Sequence, residues 1–299
     1  MHRLTIRVGC RLTYEAMMPT PIILMVRPRL TPNQLFISDH LSIEPLTPYE
    51  ELMDWLGNPV ERWEIQSGRT TIINDSLIEV PAASDDFNRQ TFSTPVMQLP
   101  RDVFRYILPS RYCDSDKLQN FASSMFGGLI NGVDRVIAIC NWTHHNIRYV
   151  TGSGRSDIAA SDIVDRKFGV CRDFAHVAIA LCRAVNVPAR YVTGHVPDIG
   201  WWDPGTPMDF HAYMEVYLDG QWCPFDARYN VPRIGRVKIA HGLDAADCAF
   251  STTFGDARLT SFQVWAYQVN PNQVAVGDPI DMSKRLDGTP QINFGHFRV

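Results

Sequence analysis

Asp219-Gly220 stands between two apolar segments, and this dipeptide constrains the chain more tightly than any other feature. Asp-Gly flanked by alternating hydrophobic residues predicts a two-residue hairpin turn, because both positions tolerate positive φ. The segment from His211 to Arg228 reads HAYMEVYLDGQWCPFDAR. A two-residue turn sets its register: Leu218 faces Gln221, and Tyr213 faces Asp226. His211 lies two residues from Tyr213, so it shares a face with Asp226 and stands diagonally across from it. Diagonal neighbours have Cα atoms about 7–8 Å apart, a gap that imidazole and carboxylate side chains close. Pro224 falls at a non-hydrogen-bonded position of this register, where its missing N–H removes no ladder bond. The hairpin alone therefore builds a His–Asp pair. The alternative is a surface His and a surface Asp that meet by chance.

A His–Asp pair acquires a catalytic meaning when a nucleophile joins it. Seven cysteines compete for that place. Cys171 follows Gly169-Val170 and opens an amphipathic pattern, with Phe174, Val177, Ala178, Leu181 and Val185 at helical spacing. Asn186 and Pro188 end that helix. A helix N-terminus carries unpaired N–H groups and a partial positive charge, which favour a thiolate and can hold an oxyanion. Gly169 permits the tight approach that exposes such a side chain. The alternative is a buried structural cysteine, and Cys10, Cys140 and Cys182 fit that reading because they fall in apolar patterns. Among the histidines, His176 points about 140° round the helix from Cys171. His144 and His145 lie in another helical pattern. His195 follows a strand and stays in reserve.

The odd cysteine count, at irregular spacing and without a CxxC pair, argues against a disulfide framework and a structural zinc site. It points to a reducing compartment, the cytoplasm. A net charge of −4 without a long basic run argues against nucleic acid as a partner. No run approaches the ~20 apolar residues of a membrane span. Arg3, Arg7, Arg11 and Glu15 interrupt the apolar core that a secretory signal needs.

The first ~110 residues read as β. Leu4, Ile6, Val8, Cys10, Leu12 and Tyr14 alternate with polar or small residues, and Ile22 to Val26 forms a second apolar run. Three more strands are expected over Trp63–Gln66, Arg69–Asn74 and Leu77–Val80, with turns at Ser67-Gly68 and Asn74-Asp75. Strands at this spacing predict a sandwich; an irregular arm is the alternative. Helical spacing follows over Asp116–Met125 and Val133–Ile147, then a loop from Tyr149 to Phe168. TGSGRS in that loop lacks the ending of a phosphate loop. After the Cys171 helix come a strand, Ala189–Thr193, a loop from Pro197 to Phe210, and the hairpin. Beyond Val231, one strand is expected over Leu259–Val269, and the rest reads as loop. The fold class is α+β.

The run GVCRDFAHVAIALCRAVNVPARYVTGH, followed by DFHAYMEVYLDGQWCPFDAR, resembles the transglutaminase-like core of the papain-like cysteine-enzyme superfamily. SRYCDSDKLQNFA and NWTHHNIRY resemble its lead-in helices. The N-terminal β region, with WLGNPVERWEI, and the later GRVKIAHGLDAADCAFSTTFGDARL resemble flanking parts of bacterial transglutaminase-like proteins. The resemblance implies a β-sandwich-like N-terminal domain (1–112), a catalytic core with a nucleophile helix on an antiparallel sheet (113–235), and a C-terminal segment (236–299). It implies Cys171 as nucleophile, His211 as general base and Asp226 as orienting acid, acting on a protein or peptide amide through a thioester. In animal transglutaminases the second oxyanion donor is a Trp upstream of the Cys; the loop Tyr149–Asp165 contains none. Trp201 and Trp202 are expected to wall the cleft, or to anchor their loop. Asp173 is expected either at the substrate or as a first-turn acid that caps a backbone N–H. No cofactor or metal is implied. A non-catalytic peptide-binding module on the same fold is the competing function.

Overall fold

The structure, a computed structural model, describes residues 2–85, 90–130, 132–201 and 207–287. The N-terminal part supplies β1 (Arg3–Ala16), β2 (Thr20–Leu24), β3 (Leu35–Glu44), β4 (Glu50–Met53), β5 (Pro59–Ile65) and β6 (Gly68–Pro81). The middle supplies α1 (Gln119–Phe126), α2 (Val133–Asn146), β7 (Arg148–Tyr149), α3 (Ala160–Arg166), β8 (Phe168–Gly169) and α4 (Cys171–Ala184). Then follow β9 (Ala189–His195), β10 (His211–Leu218), β11 (Gln221–Phe225), β12 (Val237–Gly242), β13 (Ser251–Thr253) and β14 (Ala257–Gln268).

Three four-stranded antiparallel sheets result, in the orders β14-β1-β6-β3, β13-β2-β5-β4 and β11-β10-β9-β12. Each therefore takes one strand from beyond residue 236. The tail expected to hold one strand holds three, because β12 is only six residues long and β13, Ser-Thr-Thr, has no apolar residue to carry a period-2 pattern. They are held as edges by strands far away in sequence. Leu12 and Ile72 of the first sheet share a buried cluster with Ile22 and Ile65 of the second.

Asn74-Asp75 is not a turn. β6 runs straight through it, since Asp75 is buried and binds Arg7 of β1 through both oxygens, at 3.0 and 2.7 Å. Trp265 Nε1 of β14 donates to the same carboxylate at 3.1 Å. A turn-forming dipeptide is thus recruited as an interstrand clamp, and tertiary pairing overrides local preference. Ser67-Gly68 does change the chain's direction, but between sheets: β5 lies in the second and β6 in the first.

α4 is buried from Asp173 to Arg183, on all sides and not on one face. It packs on β9 and β10 and is covered by α1, α2 and α3. Its charged Arg183 is accommodated because the guanidinium donates to the carbonyls of Ala189, Leu108 and Leu243 and to Ser110 Oγ. α3 forms inside the segment expected to be a loop, and Asp162 Oδ2 accepts from the Ala159 N–H at its start.

Candidate active site

The hairpin has the register that its turn dictates. Leu218 pairs with Gln221, Glu215 with Pro224 and Met214 with Phe225. Asp219 and Gly220 have φ of 46° and 80°, the doubly positive turn that matches strand twist. His211 Nε2 lies 2.8 Å from Asp226 Oδ2, and both side chains are buried. Cys171 is the other side chain whose interaction favours a charged His211. Because Nε2 is engaged by Asp226, Nδ1 is the nitrogen left for sulfur.

Burial opposes a charge on His211, but the Asp226 carboxylate and the Cys171 contact outweigh it and raise the imidazole to about 9. Burial likewise opposes the Asp226 charge. His211, Arg236 and the Tyr229 N–H together hold that carboxyl well below the usual range. Asp226 Oδ1 accepts from the Arg228 and Tyr229 N–H groups at 3.0 and 3.1 Å. Arg236 reaches Oδ2 with both Nη atoms at 3.3 Å, while its Nε donates to Asp85 at 2.7 Å. Asp85 and Arg236 thus fix the acid from behind.

Cys171 is half-exposed at the first position of α4, whereas Cys10, Cys113, Cys140, Cys182 and Cys248 are buried. Burial pushes the Cys10, Cys113 and Cys182 thiols up to about 12. Cys223 is half-exposed on β11. Gly169 is required where it stands: a Cβ there would lie 2.6 Å from both Cβ and Oδ2 of Asp173. Tyr149 pairs with Gly169 across β7 and β8, which brings the Tyr149 ring to the first turn of α4, 6.4 Å from Phe174.

Asp173 is corrected from a substrate contact to a helix-capping group. It is buried, and its Oδ2 accepts from the Val170 N–H at 2.9 Å. A carboxylate in the first turn satisfies an orphan donor and complements the helix dipole. Trp201 is 37 % exposed and stands edge-on to Tyr229, whose ring is 4.9 Å from that of His211. Trp202 lies outside the described residues. His195 is fully buried against Phe210, and burial lowers it to about 3. His176 accepts from the Ala245 N–H and stacks on Tyr112; burial lowers it too, to about 3.

Sequence reasoning missed Arg236, Asp85, Tyr229 and His144. His144 Nδ1 lies 3.3 and 3.1 Å from the Ala227 and Arg228 carbonyls, bracing the chain after Asp226. None of the four stands at a diagnostic spacing from Asp226. Irregular backbone places Arg236, Asp85 and Tyr229, and α2 carries His144 to partners more than eighty residues away, so no periodicity could have found them.

A cysteine at a helix start, a histidine on a strand and a carboxylate one residue past the neighbouring strand are residue types that a cysteine enzyme uses. Residues 119–227 match the transglutaminase-like superfamily. A candidate cysteine protease from Cytophaga hutchinsonii has 35 % sequence identity, with 90 % of this chain and 92 % of that chain covered and a TM-score of 0.83. An uncharacterized protein of Mycobacterium leprae is 22 % identical over 200 residues, 65 % of this chain and 72 % of its own. The periplasmic domain of TgpA from Pseudomonas aeruginosa is 16 % identical, covering 75 % of this chain and 88 % of that one, with a TM-score of 0.38. The chain belongs to the transglutaminase-like superfamily.

Proposed function

We propose that the protein is a cysteine-dependent hydrolase of amide or peptide bonds, using Cys171, His211 and Asp226 as a triad. The observation that carries this reading is the buried His211–Asp226 pair at 2.8 Å, with Cys171 the further side chain that helps to raise the imidazole. His211 Nδ1 takes the thiol proton, and Sγ attacks the carbonyl carbon. The C–N bond breaks, and the leaving amine takes the proton back from His211. The thioester is then hydrolysed by water, whose proton passes to His211 and returns to sulfur as the acid leaves. Asp226 holds the imidazole orientation and stabilises its charged form. The Cys171 N–H, at the open end of α4, serves the oxyanion.

α4 acts as the nucleophile helix on the third sheet, and the first two sheets form a sandwich beside it. Hydrolysis is preferred over transfer to an amine because transfer needs a site that excludes water and admits an amine, and Trp201 and Tyr149 are themselves partly exposed to water. The substrate is a protein or peptide. The compartment is reducing, the cytoplasm, a placement that all seven cysteines being free supports.

Two measurements test this. A thiol-directed electrophile at pH 6–7 is expected to label Cys171 faster than Cys223 or Cys248. A peptide and amide library should be turned over by wild type and not by Cys171→Ala. Labelling without preference and no turnover would leave a peptide-binding module as the function. Incorporation of a labelled amine into a glutamine peptide, at the expense of acid product, would make the enzyme a transferase.

A further inference from the structure

Arg228 lies two residues beyond Asp226, and its main chain is held on both sides. Its N–H donates to Asp226 Oδ1 at 3.0 Å, and its carbonyl lies 3.1 Å from His144 Nδ1. The half-buried side chain is laid across aromatic rings. The guanidinium carbon stands 3.9 Å over Tyr149, 5.5 Å from Tyr229 and 6.0 Å from Phe174. Phe174 is in the first turn of the Cys171 helix, and the Tyr229 ring is 4.9 Å from that of His211. The cation therefore sits over the junction between nucleophile and base.

Its neighbours are committed elsewhere. Arg172 pairs with Asp173, Arg233 with Asp198, and Arg236 with Asp85 and Asp226. The Arg228 guanidinium makes no ion pair and donates no hydrogen bond among the described residues. Stacking on Tyr149 satisfies its π-face and leaves its in-plane N–H fork open. A planar fork of that kind matches a carboxylate through two parallel hydrogen bonds. Asp209 is the acidic residue whose charge is felt at both Tyr149 and His211. Asp209 makes no ion pair with Arg228 among the described residues.

We propose that Arg228 is a specificity-determining residue that binds a substrate carboxylate beside the scissile amide, so that the preferred substrates are acidic peptides. This rests on the cysteine-hydrolase reading and names its substrate class.

Iodoacetate and iodoacetamide test it, because they differ in one negative charge. In both, Cys171 Sγ displaces iodide, so that an S–C bond forms as the C–I bond breaks. The iodoacetate-to-iodoacetamide rate ratio at Cys171 is expected to fall about threefold to tenfold in Arg228→Gln, the scale of one half-buried charge-assisted contact. Arg228→Lys should restore part of the ratio. Arg148→Gln, which removes an exposed charge from β7, should keep the wild-type ratio. In the wild-type protein, N-acetyl-glutamate amide should slow iodoacetamide labelling at concentrations where N-acetyl-glutamine amide does not. A ratio unchanged in Arg228→Gln, or equal protection by the two amides, overturns the carboxylate site and leaves the triad standing. A wild-type Cys171 that neither reagent labels overturns the triad, and this inference with it.

Discussion

At the scale of single residues, His211 is set by the Asp226 carboxylate at 2.8 Å, with Cys171 as its further electrostatic partner. Its raised value, about 9 against 6.5, means that the stabilisation from its charged form is fully present below about pH 6.5. That contribution is lost as pH rises through about 9. Asp226 is depressed, so its contribution is present above about pH 3.8 and is lost as pH falls further. The alkylation rate of Cys171 is therefore expected to hold a plateau whose upper limb lies near pH 9. Asp226→Asn removes the main influence that raises His211, so this limb should move to lower pH. Turnover should drop by roughly 10²–10⁴ with the orienting charge gone. A limb that stays put, followed by iodoacetamide labelling across pH, would show that Asp226 does not govern His211. Arg236 touches Asp226 and not the reacting atoms. Arg236→Gln should accordingly lower kcat about tenfold, leave KM within a factor of two, and shift the same limb.

At the scale of elements, two short devices place those residues. The first is the β8–α4 junction, where Gly169 leaves room for Asp173 to cap Val170. Gly169→Ala is expected to cost about 1–3 kcal/mol by overpacking and to slow Cys171 labelling. Combined with Asp173→Ala, the cost should be less than additive, since the clash and the cap share one side chain. Chemical denaturation of the four proteins in the cycle measures the coupling. The second device is the Asp219-Gly220 turn. Gly220→Ala puts a side chain at φ 80° and should cost about 1–2 kcal/mol. Cys171 labelling should stay within twofold, because β9 holds β10 from the other side and fixes the same register. The turn and the period-2 pattern were both legible in the sequence, since each is local. α3, β12 and β13 were not, because their reason for existing is a partner dozens of residues away.

At the scale of the whole molecule, the two ends of the chain close the fold. β14 pairs with β1 over eleven residue pairs, from Ile6–Gln268 to Ala16–Ala257. Asp75 then ties β1, β6 and β14 into one polar knot, and the Gly277 N–H adds a donor at 2.8 Å. Breaking one partner of a buried ion pair leaves an uncompensated charge, so Asp75→Asn is expected to cost about 3–5 kcal/mol in equilibrium unfolding. Ending the chain at residue 256 exposes the edge of β1 that β14 covers and should abolish cooperative unfolding, including that of the Cys171–His211 region. Survival of a folded core in that truncation, seen as retained Cys171 labelling, would show that the core stands alone.

The sequence by itself determined the α+β class, the Cys171 helix, the hairpin register and the pairing of His211 with Asp226. Each follows from short-range geometry: a helix period, a two-residue turn, the alternation of a strand. The tertiary structure alone decided what Asp75 does, which groups stand behind Asp226, and that Arg228 lies over Tyr149 with no ion pair among the described residues. Those assignments depend on partners brought together by sheet closure. Short-range spacing carries no information about side chains that meet across such distances, so they became visible once the strands were in place.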